Sequence, residues 1–222
     1  MNNHEKRFQA YRKLGFFPNS ILDIGAYEGH WTKMIRKIYP TAVNTMIEAN
    51  KDKKEILENI GNTYIAVLGA EEGKEIDYFK CKDGVPTGNG IYKENTPFTF
   101  EPERRICTTL DTLFNEHDRF DLIKMDVQGA ELDIIKGGLR TIKKAEGLLL
   151  ELQMSEYNVG APMAQDVICY LADRGFEFID IFDLMYLDNK LIQIDAFFRN
   201  GEIDEAQRRN RNTKRKFTVK TL

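Results

Sequence analysis

The sequence predicts a doubly wound α/β fold, and three features carry that prediction. A short apolar run ending at Ile24 passes through a glycine-containing turn into a one-face helical pattern. Strand-like runs and amphipathic stretches then alternate through five strands, which right-handed crossovers wind into an open parallel sheet. Two closing strand-like runs, 176–182 and 191–198, flank a polar turn at Asp188-Asn189, so the sheet ends in a hairpin.

Composition agrees with one globular unit. The chain has 222 residues, 42% hydrophobic and 30% charged, which suits one domain with a substantial core and excludes a disordered or fibrous class. No apolar run reaches the roughly 18 residues that a bilayer span needs. The first residues lack the apolar centre of a signal peptide, so a cytoplasmic setting is expected. Cys81, Cys107 and Cys169 are widely spaced and indicate neither a disulfide framework nor a zinc site. The net charge of −3 is uneven, because residues 206–222 carry seven basic side chains and no acid, leaving the rest near −10. The organisation expected is an N-terminal helical extension over 1–19, a catalytic-sized domain over 20–200 and a basic tail over 201–222. Such a tail could bind an anionic partner, but a solvated terminal extension explains it more simply.

In chain order, Phe8, Tyr11 and Leu14 fall at helical intervals, and Gly15 and Pro18 stop that helix. Strand one is 21–24. Trp31, Met34, Ile35 and Ile38 then mark one face of a helix ended by Pro40, with Trp31 read as core. A second strand over 42–47 ends at Glu48-Ala49-Asn50, and a helix with Ile56, Leu57 and Ile60 follows to Gly61. Strands are expected over 64–68 and 75–80. From 81 to 105 glycines and prolines make the text irregular, and loops this long usually cover or bind something. Thr108 and Asp111 suggest a capping box ahead of Leu110 and Leu113. A largely buried strand over 121–127, interrupted by Lys124, leads to a helix opened by Gln128-Gly129-Ala130-Glu131. A strand over 147–153 holds Glu151, and a helix over 163–173 precedes the hairpin.

The chemistry should gather beyond the carboxyl ends of the strands, where open α/β sheets bind ligands. Gly25 and Gly29 permit close backbone approach, and the helix after them offers unpaired N–H groups. Glu48 lies 23 residues after Gly25, at the strand tip where an acid can accept both ribose hydroxyls of a nucleoside. Asp23, Glu48, Asp126 and Glu151 would share one crevice, and their mutual repulsion calls for compensation such as a cationic cofactor. His30 and His117 read as helix-surface residues, and Glu131 as a complement to a helix dipole.

At this point the chain resembles a class I S-adenosylmethionine (SAM)-dependent methyltransferase of the FkbM family. The residues that carry the resemblance are Asp23-Ile24-Gly25-Ala26-Tyr27-Glu28-Gly29, Glu48-Ala49-Asn50, Thr109-Leu110-Asp111, Ile123 to Glu131, Lys136-Gly137-Gly138 and Gln193-Ile194-Asp195, spanning about 20–199. Tyr27 departs from the pattern, where the family usually has Asn. The resemblance implies a Rossmann-like seven-stranded sheet, mostly parallel with an antiparallel C-terminal hairpin strand, and methyl transfer to a hydroxyl, often of a sugar or secondary metabolite. It implies cofactor contacts from Asp23, Gly25, Ala26, Gly29, Glu48, Leu68 and Asp126, with Asp126 beside the methyl donor. Asn89, Tyr92 and Lys93 would line the acceptor pocket. A sugar hydroxyl needs help to lose its proton, and Asp126 and Glu151 are the candidate bases. Alternatively these two carboxylates could share Mg²⁺.

The expected partner is a small-molecule or glycan acceptor. A nicotinamide dehydrogenase is disfavoured because Gly-x-Gly-x-x-Gly is absent. A nucleic-acid methyltransferase, suggested by the tail, is disfavoured because Asp126-Val127-Gln128-Gly129 replaces the Asn/Asp-Pro-Pro-aromatic motif of base-modifying enzymes. A protein methyltransferase using the tail and a non-catalytic SAM-binding module stay open as alternatives.

Overall fold

The structure, a computed structural model, describes residues 2–84 and 86–203. The basic run over 206–222 therefore lies outside the described residues. Five parallel strands form the centre of the main sheet: β1 (Ser20–Ile24), β2 (Val43–Glu48), β3 (Asn62–Ile65), β6 (Leu122–Met125) and β7 (Gly147–Gln153). A closing hairpin of β8 (Phe176–Leu187) and β9 (Lys190–Asn200) completes it, with β9 antiparallel to β7. The order is β3-β2-β1-β6-β7-β9-β8, seven strands in all. Asp188 and Asn189 both take positive φ, +49° and +62°, the twist that tight hairpin turns require.

The central strands read as nearly unbroken apolar runs because both sheet faces are covered. Side chains alternate between the faces. Leu22, Ile24, Ile123, Met125, Leu148 and Leu150 pack in one buried cluster with α5 (Glu131–Gly137), α6 (Leu139–Ile142) and α7 (Ala164–Ala172). Ile21, Leu122, Leu149 and Phe197 face the other way, against α1 (Asn3–Lys13) and α2 (His30–Ile38). Phe8 of α1 is fully buried and meets Trp31, Tyr39, Phe182 and Phe197 edge-on. Among the described residues no helix is long and apolar enough to cross a membrane, and the three cysteines are free.

Four expectations change. The third strand ends at Ile65 rather than Leu68, because the chain turns at Val67-Leu68 to pair with Thr108. Within the stretch read as irregular lies β5 (Phe100–Ile106), paired antiparallel with β4 (Glu75–Cys81) in a separate two-stranded ribbon. Its charges and Pro102 hid it, since an edge strand tolerates both. The capping residue of α4 (Leu110–Leu113) is Thr109, which accepts from the Thr112 N–H, while the Thr108 hydroxyl donates to Glu72. Asp111 instead accepts from the Thr141 N–H and hydroxyl, tying α4 to α6. Finally, β8 runs on to Leu187, five residues past the expected end.

Candidate functional site

The strand order reverses between β1 and β6, so the chain diverges on either side of their carboxyl ends and leaves a crevice there. A cleft of about 310 Å³ opens at that place. It is lined by Gly25, Glu48, Leu68, Asp126 and Gln128 from the strand ends and the turns after them, and by Asn89, Glu94 and Tyr157 from the longer connections.

The first turn is fixed by close packing. Gly25 has φ +75°, and a Cβ there would sit 1.8 Å from the Asp126 carbonyl oxygen, so no larger residue fits between β1 and β6. Gly29, with φ +70°, faces Ile60 of the segment after α3 (Lys54–Glu58) rather than the cleft. Tyr27 also has positive φ, +51°. That conformation favours Asn among non-glycine residues, which accounts for the Asn expected there. Lys53 Nζ lies 4.2 Å from the Tyr27 ring centre, a contact that holds the ring at the cleft edge.

Glu48 closes the turn from the neighbouring strand. Its Oε2 accepts from the Tyr27 N–H at 2.7 Å and its Oε1 from the Asn50 N–H at 2.8 Å. Each oxygen keeps a further acceptor site for a ligand hydroxyl. Burial raises its pKa, opposed by those two N–H groups.

The charge conflict among the acids is met by a residue that the sequence shows only as an interruption. Register places Lys124 opposite Asp23, and its buried Nζ lies 3.4 Å from Asp23 Oδ1 and 3.3 Å from Asp126 Oδ2. Burial alone would lower the ammonium pKa, but Asp126 and Asp23 override it and hold it above its ordinary value. Asp23 also accepts from the Thr32 hydroxyl at 2.6 Å, and it lies beneath the cleft rather than in its wall.

Glu151 sits behind Asp126. Its Oε2 accepts amide N–H bonds from Gln128 at 3.1 Å and Gln193 at 3.0 Å. Burial, then the charges of Asp126 and Asp195, push its pKa well up. Glu131 is buried too, and its Oε1 takes the Val127 N–H at 3.0 Å, so it braces the Gln128-Gly129 turn rather than only complementing a dipole. Burial pushes its pKa up to about 8.

The structure thus gathers Gly25, Glu48, Leu68, Asn89, Asp126 and Glu151 into one cleft. Asp23, Ala26, Gly29, Tyr92 and Lys93 are not in its wall. Tyr92 instead donates to Asp133 Oδ2 at 2.7 Å, and Lys93 is exposed. His30 is exposed on α2 as expected, whereas His117 is exposed in a turn beyond α4 rather than on a helix. Sequence reasoning missed Tyr78, Glu94, Tyr157 and Lys124, none of which sits in a spacing pattern. Gln193 was visible only as part of Gln193-Ile194-Asp195.

Two polar groups bear on what the cleft could hold. Asn89 Oδ1 accepts from the Cys81 N–H, and the Asn89 amide also faces the buried Tyr78 hydroxyl. Apolar Ile47, Leu68 and Ile134 line the same cleft as Glu48, a setting for a purine ring and a ribose diol. These groups fit a nucleoside cofactor carrying positive charge near Asp126. A cluster of His4, Asp183 and Asp195 has metal-like spacing. However, His4 Nδ1 accepts from Trp31 Nε1 at 3.2 Å, which leaves the ring proton on Nε2 to bond Asp195 at 2.6 Å.

Known proteins share the fold and identify the family. The family model described as "Methyltransferase FkbM domain" matches residues 23–178. An FkbM methyltransferase structure from Methylobacillus flagellatus is 16% identical with TM-score 0.51, covering 86% of this chain and 47% of that one. The plantazolicin methyltransferase in complex with a desmethylplantazolicin analogue and S-adenosylhomocysteine is 12% identical with TM-score 0.53, covering 90% and 84%. A Streptococcus pneumoniae structure, described provisionally as a tRNA (m1A22) methyltransferase, is 13% identical with TM-score 0.50, covering 90% and 71%. No curated protein matches the chain.

Proposed function

The chain belongs to the FkbM methyltransferase family and is a SAM-dependent enzyme, and from that premise we propose that it methylates a hydroxyl of a sugar, glycan or glycosylated metabolite. The observation that supports this reading is that Glu48 and a polar wall of amide, carboxyl and phenol groups share one cleft of about 310 Å³. Such a wall suits a neutral polyhydroxyl acceptor, which binds through many hydrogen bonds rather than through charge.

In this reading the backbone from Gly25 to Tyr27 borders the methionine end of the cofactor. Glu48 accepts the ribose hydroxyls, Leu68 flanks adenine and Asp126 faces the methyl donor. SAM supplies a methyl group that is already electrophilic. The chain's task is to align the acceptor oxygen behind it and keep water out. Glu151 and its two glutamine donors hold Asp126 and Gln128 in place at the reacting end. The comparisons give no support to Mg²⁺, and the oxygens of Asp126 and Glu151 already meet an ammonium and amide N–H groups. A cytoplasmic setting belongs to the same proposal.

Calorimetric titration with SAM, followed by transfer of labelled methyl to a panel of p-nitrophenyl glycosides, tests the proposal. Binding with an O-methylated glycoside as product supports it. Absence of binding at millimolar SAM, or binding without transfer to any glycoside, overturns the cofactor or the acceptor half respectively. The basic run over 206–222 is the observation that favours an RNA acceptor instead, and strongly salt-dependent RNA binding is its signature.

A further inference from the structure

Glu94 lies in the connection between β4 and β5. It is 8% exposed and lines the cleft that also holds Gly25, Glu48 and Asp126. The segment is fixed in place. The Asn95 N–H donates to the Tyr157 carbonyl at 2.7 Å and the Val159 N–H to the Lys93 carbonyl at 2.8 Å, which makes a short antiparallel bridge between Glu94 and Asn158.

The carboxyl is also packed tightly. A Cβ on Gly88 would lie 2.1 Å from Glu94 Oε1, so a glycine at 88 is what lets the side chain take its position. Among the described residues, the hydroxyls of Tyr157 and Thr96 face it. Burial raises the Glu94 pKa, and burial with the Glu94 charge beside it pushes the Tyr157 phenol up to about 12.

The other carboxyls in the cleft have partners that reduce their usefulness as bases. Asp126 is ion-paired with Lys124, and Glu151 receives two amide N–H bonds on one oxygen. Glu48 is held by two backbone N–H groups at the ribose position. Among the described residues Glu94 faces neutral hydroxyls, of Tyr157 and Thr96, which favour its ionised form but can rotate to accept from it once it is protonated.

We infer that Glu94, steadied by Tyr157, is the catalytic base that takes the proton from the acceptor hydroxyl. As the acceptor O–H bond breaks, its proton passes to the Glu94 carboxylate. The oxygen forms the new O–C bond while the methyl–sulfur bond breaks, its electron pair staying on sulfur. The inference rests on the O-methylation reading above.

The test uses the full chain, SAM and the same p-nitrophenyl glycosides, with Glu94→Gln, Tyr157→Phe and Gly88→Ala. Glu94→Gln should lower kcat by about 10²–10⁴-fold, the range for losing a general base. Its SAM affinity, and its calorimetric affinity for the glycoside with S-adenosylhomocysteine bound, should stay within about threefold of wild type. Gly88→Ala, which displaces the carboxyl without removing it, should lower kcat in the same direction, and Tyr157→Phe should do so more weakly. Wild-type kcat in Glu94→Gln overturns the inference while leaving the O-methylation reading intact. A wild-type enzyme that binds SAM but methylates no glycoside overturns that reading, and the inference falls with it.

Discussion

At the scale of single residues the site is a problem in charge balance, and Lys124 solves it. Its ammonium lies between Asp23 and Asp126 because the β1–β6 register sets Asp23 opposite it. Lys124→Met should destabilise the fold by about 3–5 kcal/mol in urea unfolding, since it strands Asp23 as a buried unpaired charge. An unchanged midpoint would show that Asp23 is neutral without it. Glu48→Ala should weaken SAM binding by about 1–3 kcal/mol, the scale for hydrogen bonds to a charged group; an equal dissociation constant would detach Glu48 from the cofactor. Glu131 gives a pH prediction. Its folded pKa of about 8 lies above the ordinary carboxyl value of 4.5, so its contribution to stability is complete below about 4.5 and is lost as pH rises towards 8. Glu131→Gln keeps an acceptor for the Val127 N–H and removes that loss, so its Tm advantage over wild type should grow between pH 5 and 8. A constant difference would contradict the assignment. The acids at the strand tips could be read from sequence because strand ends are predictable. Lys124 could be seen only as an interruption, because its role depends on which residue stands beside it in another strand.

At the scale of elements, the parallel core was legible since buried strands write themselves as apolar runs and glycine turns punctuate them. The β4–β5 ribbon was half legible. In β5 the residues alternate weakly and include Pro102, and two-stranded ribbons bury too little to impose a pattern. The segment carrying Asn89 and Glu94 joins the two strands of this ribbon, so the part of the cleft it lines was the less readable. The N-terminal helix is tied to the closing hairpin through His4–Asp195, Tyr11–Asp180 and Asn3–Asp183. It also carries Phe8 into an aromatic cluster with Phe182 and Phe197. Phe8→Ala should cost about 3–5 kcal/mol by urea unfolding, as for a large core ring removed from a packed site. A loss under about 1 kcal/mol would show that α1 is an appendage rather than part of the core.

For the whole molecule, the sheet order decides where chemistry can occur, and the side chains at the reversal decide which chemistry. Fold alone would not choose an acceptor. The account joins a cofactor side built on β1 and β2 with an acceptor side built on the inserted segment and the loop after β7. Its central claim is that the methyl group passes, within this one cleft, to a sugar oxygen. The most direct measurement is NMR of the product after incubation with ¹³C-methyl-SAM and the glycoside panel, using wild type and Asp126→Ala. The account predicts a ¹³C-methyl ether on a sugar carbon from wild type, and turnover reduced to background by Asp126→Ala in a variant that stays folded. Absence of any labelled methyl ether, or a methyl ether formed equally well by Asp126→Ala, would contradict it.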